Sequence, residues 1–302
     1  MSDSAEITDH AERTGIYAIV GRPNVGKSTL LNRLIGQKIS ITSRKPQTTR
    51  LAIRGIALQG AVQLVFTDTP GWEFAPKYRL HKLMNAQFDE AVQAVDSALL
   101  VVDAAYWHAG DEAVAERLSN LSAAPILVLN KIDTLAGKED LLPLIERLST
   151  TFNFQAIFPV CAKSGKSVEE LLKYLADAAP TRPHLFDTAQ ITDRSERFLC
   201  GEIIREKLMR QTGAELPYSS HVVIERFEEH GETVAIDATI WVEKPGQKAI
   251  VIGRQGARLK EIGTAARTDI EKMLGRRVFL TTWVKIRDKW TEDPAALRTL
   301  DE

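Results

Sequence analysis

Apolar positions along this chain follow two rhythms. Up to residue 178, short unbroken apolar runs alternate with stretches of helical spacing. Residues 16–20 read as a buried strand and residues 21–26 as a loop. Residues 27–35 read as an amphipathic helix with Leu30, Leu31 and Leu34 on one face. Strands are expected at 51–58, 62–67, 98–103, 125–130 and 157–160, and helices at 111–121 and 167–178. The runs at 98–103 and 125–130 are continuously apolar, as strands covered on both faces should be. Strands alternating with helices predict an α/β domain with a mostly parallel, doubly wound sheet.

The rhythm breaks at residues 179–193, which carry Pro180 and Pro183 and little periodicity. Beyond the break, helices are expected at 197–211 and 258–274. Alternating strands are expected at 221–226, 233–242 and 278–286, with a turn at 229–231. That order predicts an α+β domain. The expected organisation is a flexible tail over 1–13, a first domain over 14–179, a linker over 180–194 and a second domain over 195–302.

Composition narrows little. A length of 302 residues suits two domains, and 44% hydrophobic with 26% charged residues is ordinary for a globular protein. A formal net charge of -1 says nothing about partners. Two cysteines, Cys161 and Cys200, form no CxxC pair. That argues against a zinc site and a disulfide framework, and for a reducing, cytoplasmic compartment. The N-terminus lacks the basic start and apolar core of a signal peptide. No apolar run approaches the ~20 residues that span a bilayer.

The strongest chemistry lies in Gly21-Arg22-Pro23-Asn24-Val25-Gly26-Lys27-Ser28, followed by Thr29, between the first expected strand and helix. It fits G-x-x-x-x-G-K-[ST] in the setting this motif requires. Gly21 and Gly26 let the backbone curl, so successive N–H groups face phosphate oxygens. The helix beginning near Lys27 adds its positive dipole end. The Lys27 ammonium can reach the β- and γ-phosphates, and the Ser28 hydroxyl can hold Mg²⁺.

Three further motifs end later strands. Asp68-Thr69-Pro70-Gly71 puts a carboxylate where it can hold Mg²⁺ and a free Gly71 N–H where it can approach a γ-phosphate. In Asn130-Lys131-Ile132-Asp133, the Asp133 carboxylate can accept the N1–H and N2–H₂ donors of guanine, a pair adenine lacks. Asn130 can support the base and the phosphate loop, and the Lys131 stem can lie along the ring. Cys161-Ala162-Lys163 follows the last strand; the Ala162 N–H is expected on guanine O6, and Cys161 is read as a small buried residue.

In this order, over residues 15–180, the motifs resemble those of the Ras-like, translation-factor-related GTPases. The resemblance implies GTP and GDP as ligands. It makes the polar run Ile41-Thr42-Ser43-Arg44-Lys45-Pro46-Gln47-Thr48-Thr49-Arg50 a switch loop whose Thr49 closes on Mg²⁺. Where many such proteins carry a glutamine after D-x-x-G, this chain has Trp72, and no arginine finger is assignable. That resembles the subgroup in which a potassium ion, held partly by the phosphate-loop asparagine, replaces the arginine; Asn24 is the matching residue. The catalytic set is therefore Lys27, Thr49, Gly71 and Asn24, with Mg²⁺ on Ser28, Thr49 and Asp68.

The second domain carries Gly253-Arg254-Gln255-Gly256 ahead of a helical stretch, amid Lys248, Arg258, Lys260, Arg267, Lys272, Arg276, Arg277, Lys285 and Arg287. KH modules use G-x-x-G to clamp about four nucleotides of single-stranded RNA. A type II KH domain is expected, with Gly253, Arg254, Gln255, Gly256, Arg258 and Lys260 on RNA. Trp290 could stack bases, while Trp283 is expected to be partly core. A GRPNVGKS loop, a PQTTR switch and a C-terminal VIGRQG loop in one chain are similar to the bacterial Era family. That resemblance implies binding to 16S ribosomal RNA near its 3′ end, a role in maturation of the small (30S) subunit, a monomeric state, and some peripheral association with the inner membrane. Two other readings stay open: an RNA-binding protein with a purely structural nucleotide, and a tRNA-modification GTPase.

Overall fold

The computed structural model describes residues 11–43, 45, 48–72, 76, 78–135, 137, 139, 141–213 and 216–301. Residues 1–10 of the expected tail, and Arg44, Pro46 and Gln47 of the switch run, lie outside the described residues.

The first part runs β1 (Arg13–Val20), α1 (Lys27–Ile35), β2 (Ile53–Gln59), β3 (Val62–Asp68), α2 (Arg79–Gln93), β4 (Ser97–Asp103), α3 (Ala109–Leu118), β5 (Ile126–Asn130), α4 (Leu141–Thr151), β6 (Ala156–Pro159) and α5 (Val168–Ala178). Its strands order as β2-β3-β1-β4-β5-β6, with only β2 antiparallel to its neighbour. The apolar strands β4 and β5 sit mid-sheet, and every residue of β5 is buried. Helices cover both faces, which yields separate cores: Ile19, Leu30, Phe66 and Leu171 on one side, Val20, Phe88, Leu100 and Leu127 on the other. The winding reverses beside β1, so a crevice opens at the carboxyl ends of β1, β3, β4 and β5, where doubly wound sheets bind ligands.

The second part runs α6 (Glu196–Gln211), α7 (Leu216–Ser219), β7 (Ser220–His230), β8 (Thr233–Val242), α8 (Pro245–Ile252), α9 (Ala257–Leu274), β9 (Arg277–Ile286) and α10 (Pro294–Arg298). Its sheet orders as β7-β8-β9, with β7 antiparallel and β9 parallel to β8. Ile236 and Ile240 of β8 meet Ile204 of α6, Val251 of α8, and Ile262 and Ile270 of α9. The unit β8-α8-GRQG-α9-β9, preceded by α6 and β7, is the expected α+β arrangement.

Several expectations need correction. Arg13, read as tail, begins β1, and its guanidinium donates to Ala179 O (3.0 and 2.7 Å). Helices α2, α4, α8 and α10 were not anticipated. In α2, Leu80, Met84, Phe88 and Val92 share one buried face, but polar residues outnumber them locally. The expected linker makes specific contacts with the first sheet. Gln63 Oε1 accepts from Leu185 N (2.8 Å) and Phe186 N (3.1 Å), Ile191 O accepts from Ile56 N (2.9 Å), and Arg182 pairs with Asp96 (2.8 Å). It is strapped to the first sheet by backbone groups that a free linker would leave to water.

The two tryptophans exchange roles. Trp290 is 0% exposed and donates to Ser219 O (2.9 Å), so it stacks no base; Trp283 is 46% exposed on the edge strand β9. Trp290 instead stacks on His221 (5.5 Å between ring centres), with Arg50 over its ring and Trp241 edge-on to the histidine. Burial, then the guanidinium groups of Arg50 and Arg205, hold the His221 pKa well below the ordinary 6.5. The unfolded chain therefore binds the proton first, and His221 costs stability as pH falls below the ordinary histidine value. Thermal melts between pH 7.5 and 5.5 should show Tm falling with acid, and falling less in His221→Phe. An unchanged slope in that variant would remove the assignment.

Candidate active site

Each motif lands on the crevice. The phosphate loop connects β1 to α1 with Gly21 at φ 141°, Asn24 at φ 66° and Gly26 at φ 104°. A Cβ on Gly21 would lie 2.3 Å from Val101 O, and one on Gly26 would lie 2.2 Å from Asn130 Nδ2. Only glycine meets both demands. The Lys27 ammonium donates to Gly21 O and Arg22 O (2.9 Å each), folding its stem back under the loop. Burial lowers its pKa to about 8, against the pull of Asp68. Such an ammonium is poorly solvated and gains strongly from an anion.

Beside it lies a cluster of oxygens. Asp68 Oδ2 accepts hydroxyl bonds from Ser28 (2.7 Å), Ser40 (3.0 Å) and Thr49 (3.2 Å), and the Ser28 and Thr49 hydroxyls are 2.9 Å apart. Burial raises the Asp68 pKa, while Lys27 and these hydroxyls oppose the shift. Asp68 Oδ1 is buried with no hydrogen-bond partner among the described residues. A buried carboxylate with a spare oxygen beside two hydroxyls fits a hard divalent cation. Among the described residues no three His, Cys, Asp or Glu side chains cluster as a metal site, so the fit depends on these hydroxyls.

The opposite end of the crevice is built around Asn130. Its Nδ2 donates to Val25 O (2.8 Å) and its Oδ1 accepts from Ala162 N (2.9 Å), tying three loops together. The Ala162 N–H, expected on guanine O6, is therefore spent on Asn130 in this structure. Lys131, at φ 65°, bonds Asp103 (2.8 Å). Asp133 lies on a one-turn 3₁₀ segment, Ile132–Thr134. The Cys161 thiol is buried and donates to Asp133 Oδ1 (3.1 Å), which lowers the carboxyl pKa. Cys161 thus orients the carboxylate rather than merely filling space.

Pro23, Asn24 and residues 26–29 of the phosphate loop, the switch residues Thr48 and Thr49, Gly71, Asn130, Lys131, Asp133, Thr134 and residues 161–163 line one cavity of about 940 Å³. Gly71 approaches closely: a Cβ there would sit 2.8 Å from Pro23 Cγ. Arg22 and Val25, also expected on the nucleotide, do not line the cavity. The Arg22 guanidinium pairs with buried Asp111 on α3 (2.8 Å), and the Val25 side chain is in the core. Trp72 faces the α2–α3 side, with the Arg117 guanidinium 5.5 Å from its ring centre. Sequence reasoning missed Arg33, which holds Ala162 O (3.2 Å) and Lys163 O (2.6 Å), and Arg210 of α6, which reaches the cavity from the second domain. No sequence signal marked either.

The GRQG loop lies between α8 and α9. Gly253 (φ 71°), Gln255 (φ 51°) and Gly256 (φ 78°) give it a left-handed course. Arg254, Gln255 and Lys260 are exposed, but Arg258 donates to Ile250 O (2.7 Å) and caps α8. Parts of the basic segment are neutralised internally: Arg276 pairs with Glu229 (2.6 Å) and Glu196 (2.8 Å), Lys285 with Glu225 (3.0 Å) and Arg287 with Asp293 (2.6 Å). Exposed positive charge along α9 and its flanks lies on Arg254, Lys260, Arg267, Lys272 and Arg277.

Comparison with known proteins decides the family. Residues 16–131 match the model of the 50S ribosome-binding GTPase family, and residues 215–291 match the KH domain model. GTPase Era of Haemophilus influenzae is 48% identical over 298 residues, covering 97% of this chain and 98% of the relative. The chain belongs to the Era family of GTPases. GTPase Era of Xanthomonas oryzae pv. oryzae is 47% identical over 292 residues, with 97% and 98% covered. Two solved Era structures superpose with TM-scores of 0.92 at 36% identity. A single-substitution variant of Aquifex aeolicus Era bound to GDP.AlF4- covers 95% of this chain and is itself covered to 98%. Era in complex with MgGDPNP and nucleotides 1506–1542 of 16S ribosomal RNA covers 96%, and is likewise covered to 98%. This Era-family chain is thus a GTPase with a P-loop domain followed by a KH domain.

Proposed function

We propose that the chain is a GTP-dependent RNA-binding switch that binds 16S ribosomal RNA near its 3′ end and acts in maturation of the small ribosomal subunit. The observation that carries this reading is the crevice in which the phosphate loop, Ser28, Thr49 and Asp133 line one cavity, with Asp68 buried behind the two hydroxyls, while the switch loop touches the KH domain. GTP and GDP would occupy the cavity, with Lys27 and the loop amides on the phosphates and Asp133 on guanine. Ser28, Thr49 and the orphaned oxygen of Asp68 would hold Mg²⁺, which would neutralise phosphate charge. Lys27 and the Gly71 N–H would meet charge developing on the γ-phosphoryl group.

Trp72 is turned away from the cavity, so it cannot orient water. We assign a K⁺ site to Asn24, whose left-handed backbone turns it to the cavity. Turnover in K⁺ buffer should exceed that in Na⁺ buffer several-fold; equal rates would sink this assignment. RNA is assigned to Gly253, Arg254, Gln255, Gly256 and Lys260, with Arg258 supporting the loop from below. The proposal puts a monomer in the cytoplasm. Peripheral contact with the inner membrane rests on the family resemblance, and no helix among the described residues is long and apolar enough to cross a membrane.

Gly256→Asp tests the RNA half. A Cβ at Gly256 meets open space, although φ 78° disfavours any side chain. The added carboxylate faces the phosphate path. Affinity for a 16S fragment covering nucleotides 1506–1542, the segment in the solved Era complex, should fall at least ~10-fold, while basal GTP hydrolysis holds. Undiminished RNA binding would remove the GRQG assignment.

A further inference from the structure

The backbone of the switch loop finds its partners in the other domain. Thr42 N donates to Glu206 Oε1 (3.0 Å), and Thr42 O accepts from Arg210 (3.0 Å). The Lys45 ammonium donates to the carbonyls of Met209 and Thr212 at the end of α6. Thr48 O accepts from Arg205, and the Arg50 guanidinium donates to Ser220 O (2.7 Å). Buried backbone groups must be paired somewhere. Here the backbone of Thr42 and Thr48 and the side chain of Arg50, on both sides of Thr49, are paired to α6 or the start of β7.

The donors on α6 are themselves fixed. Arg205 is 1% exposed and forked onto Glu202 (two contacts of 2.6 Å). Glu206 is 0% exposed and accepts from Lys38 (2.5 Å), Thr42 and Arg210 (2.8 Å). A carboxylate so deeply buried is tolerated only with such a full set of partners. Glu202, Arg205, Glu206 and Arg210 recur at helical spacing, so one face of α6 is given to the loop. Arg210 alone of these also lines the nucleotide cavity.

We infer that α6 of the KH domain is a positioning element for GTP hydrolysis. Arg205, acting through Thr48 O, and Arg210, acting through Thr42 O, hold the loop so that the Thr49 hydroxyl stays against Ser28 and Asp68. The inference rests on the proposed role of Thr49 at Mg²⁺. It also gives the KH domain a route to the chemistry. Helix α9 begins at Ala257, directly after the GRQG loop, and its Asp269 bonds Lys207 of α6 and lies 3.5 Å from Lys38. A displacement of α9 by RNA would reach the loop through these contacts.

The test compares Arg205→Met, Arg205→Lys, Arg210→Ala and Thr49→Ala in the full chain. It reads kcat, KM, the Mg²⁺ concentration for half-maximal rate, GDP affinity and Tm. Arg210, with a side chain 49% exposed, can be removed without opening the core. Arg205→Met should lower kcat at least ~10-fold, because small misplacements of a catalytic group are costly. Arg210→Ala should lower it ~3-fold, with the Mg²⁺ midpoint raised in both and GDP affinity unchanged in Arg205→Met, whose site lies outside the cavity lining. Arg205→Lys should recover part of the loss. If Thr49→Ala shifts kcat and the Mg²⁺ midpoint but both arginine variants match the wild type, the inference fails alone. If Thr49→Ala also changes nothing, the Mg²⁺ reading fails with it. A kcat that falls only in step with Tm and GDP affinity would reduce α6 to a structural role and overturn the inference.

Discussion

Lys27→Met should lower kcat for GTP hydrolysis by about 10³-fold, the scale seen when a preorganised electrostatic group is removed from a reacting centre. The structure makes the substitution clean. Lys27 is 6% exposed, its stem packs beneath the phosphate loop, and burial has already lowered its pKa to about 8. Methionine keeps the length and apolar stem and removes a charge whose burial is costly. The protein should therefore stay folded, with Tm equal to or above that of the wild type, while single-turnover hydrolysis collapses. A loss under tenfold would mean that the ammonium does not meet the transferring phosphoryl group.

Asp133→Asn should reverse base preference. The carboxylate is ionised at neutral pH, as an ordinary aspartate is, and the Cys161 thiol donor lowers its pKa further. Guanine offers it two donors, N1–H and N2–H₂. An asparagine amide turns an NH₂ toward one of them and leaves it unpaired. A site built around such bonds discriminates steeply, so GTP affinity should fall by ~10²- to 10⁴-fold. Xanthosine triphosphate, with an acceptor oxygen where guanine has its amino group, should gain. Competition against fluorescent GDP measures both. An unchanged ratio of the two affinities would displace Asp133 from the base.

The sequence made the phosphate loop legible because a triphosphate is held by consecutive amides, and consecutive residues show as a motif. Asp68 and Asp133 were legible for a related reason: Asp68 ends β3 and Asp133 follows three residues after the end of β5, and strands that end on one edge of a doubly wound sheet bring the residues at their ends to one crevice. Contacts between distant segments left no trace. Nothing near Arg33 announces the carbonyls of Ala162 and Lys163, and nothing near Thr48 announces Arg205. The same blindness affected the basic segment. Arg276, Lys285 and Arg287 looked available in sequence but are held by acids brought in by β7, α6 and the residues before α10. Trp290 and Trp283 could not be told apart by local pattern, since the burial of Trp290 comes from His221 and Arg50. Helix α2 went unread because its apolar face is one residue per turn in a polar setting.

One loop joins the nucleotide site to the KH domain. Coupling of this kind requires different RNA affinity in the two nucleotide states, and the factor must be reciprocal. Fluorescence anisotropy with a labelled 16S fragment covering nucleotides 1506–1542 reads it directly, with the protein loaded with Mg²⁺ and either GDP or a non-hydrolysable GTP analogue. The expected result is RNA binding at least ~5-fold tighter in the analogue-bound state. Equal affinity in both states would contradict it.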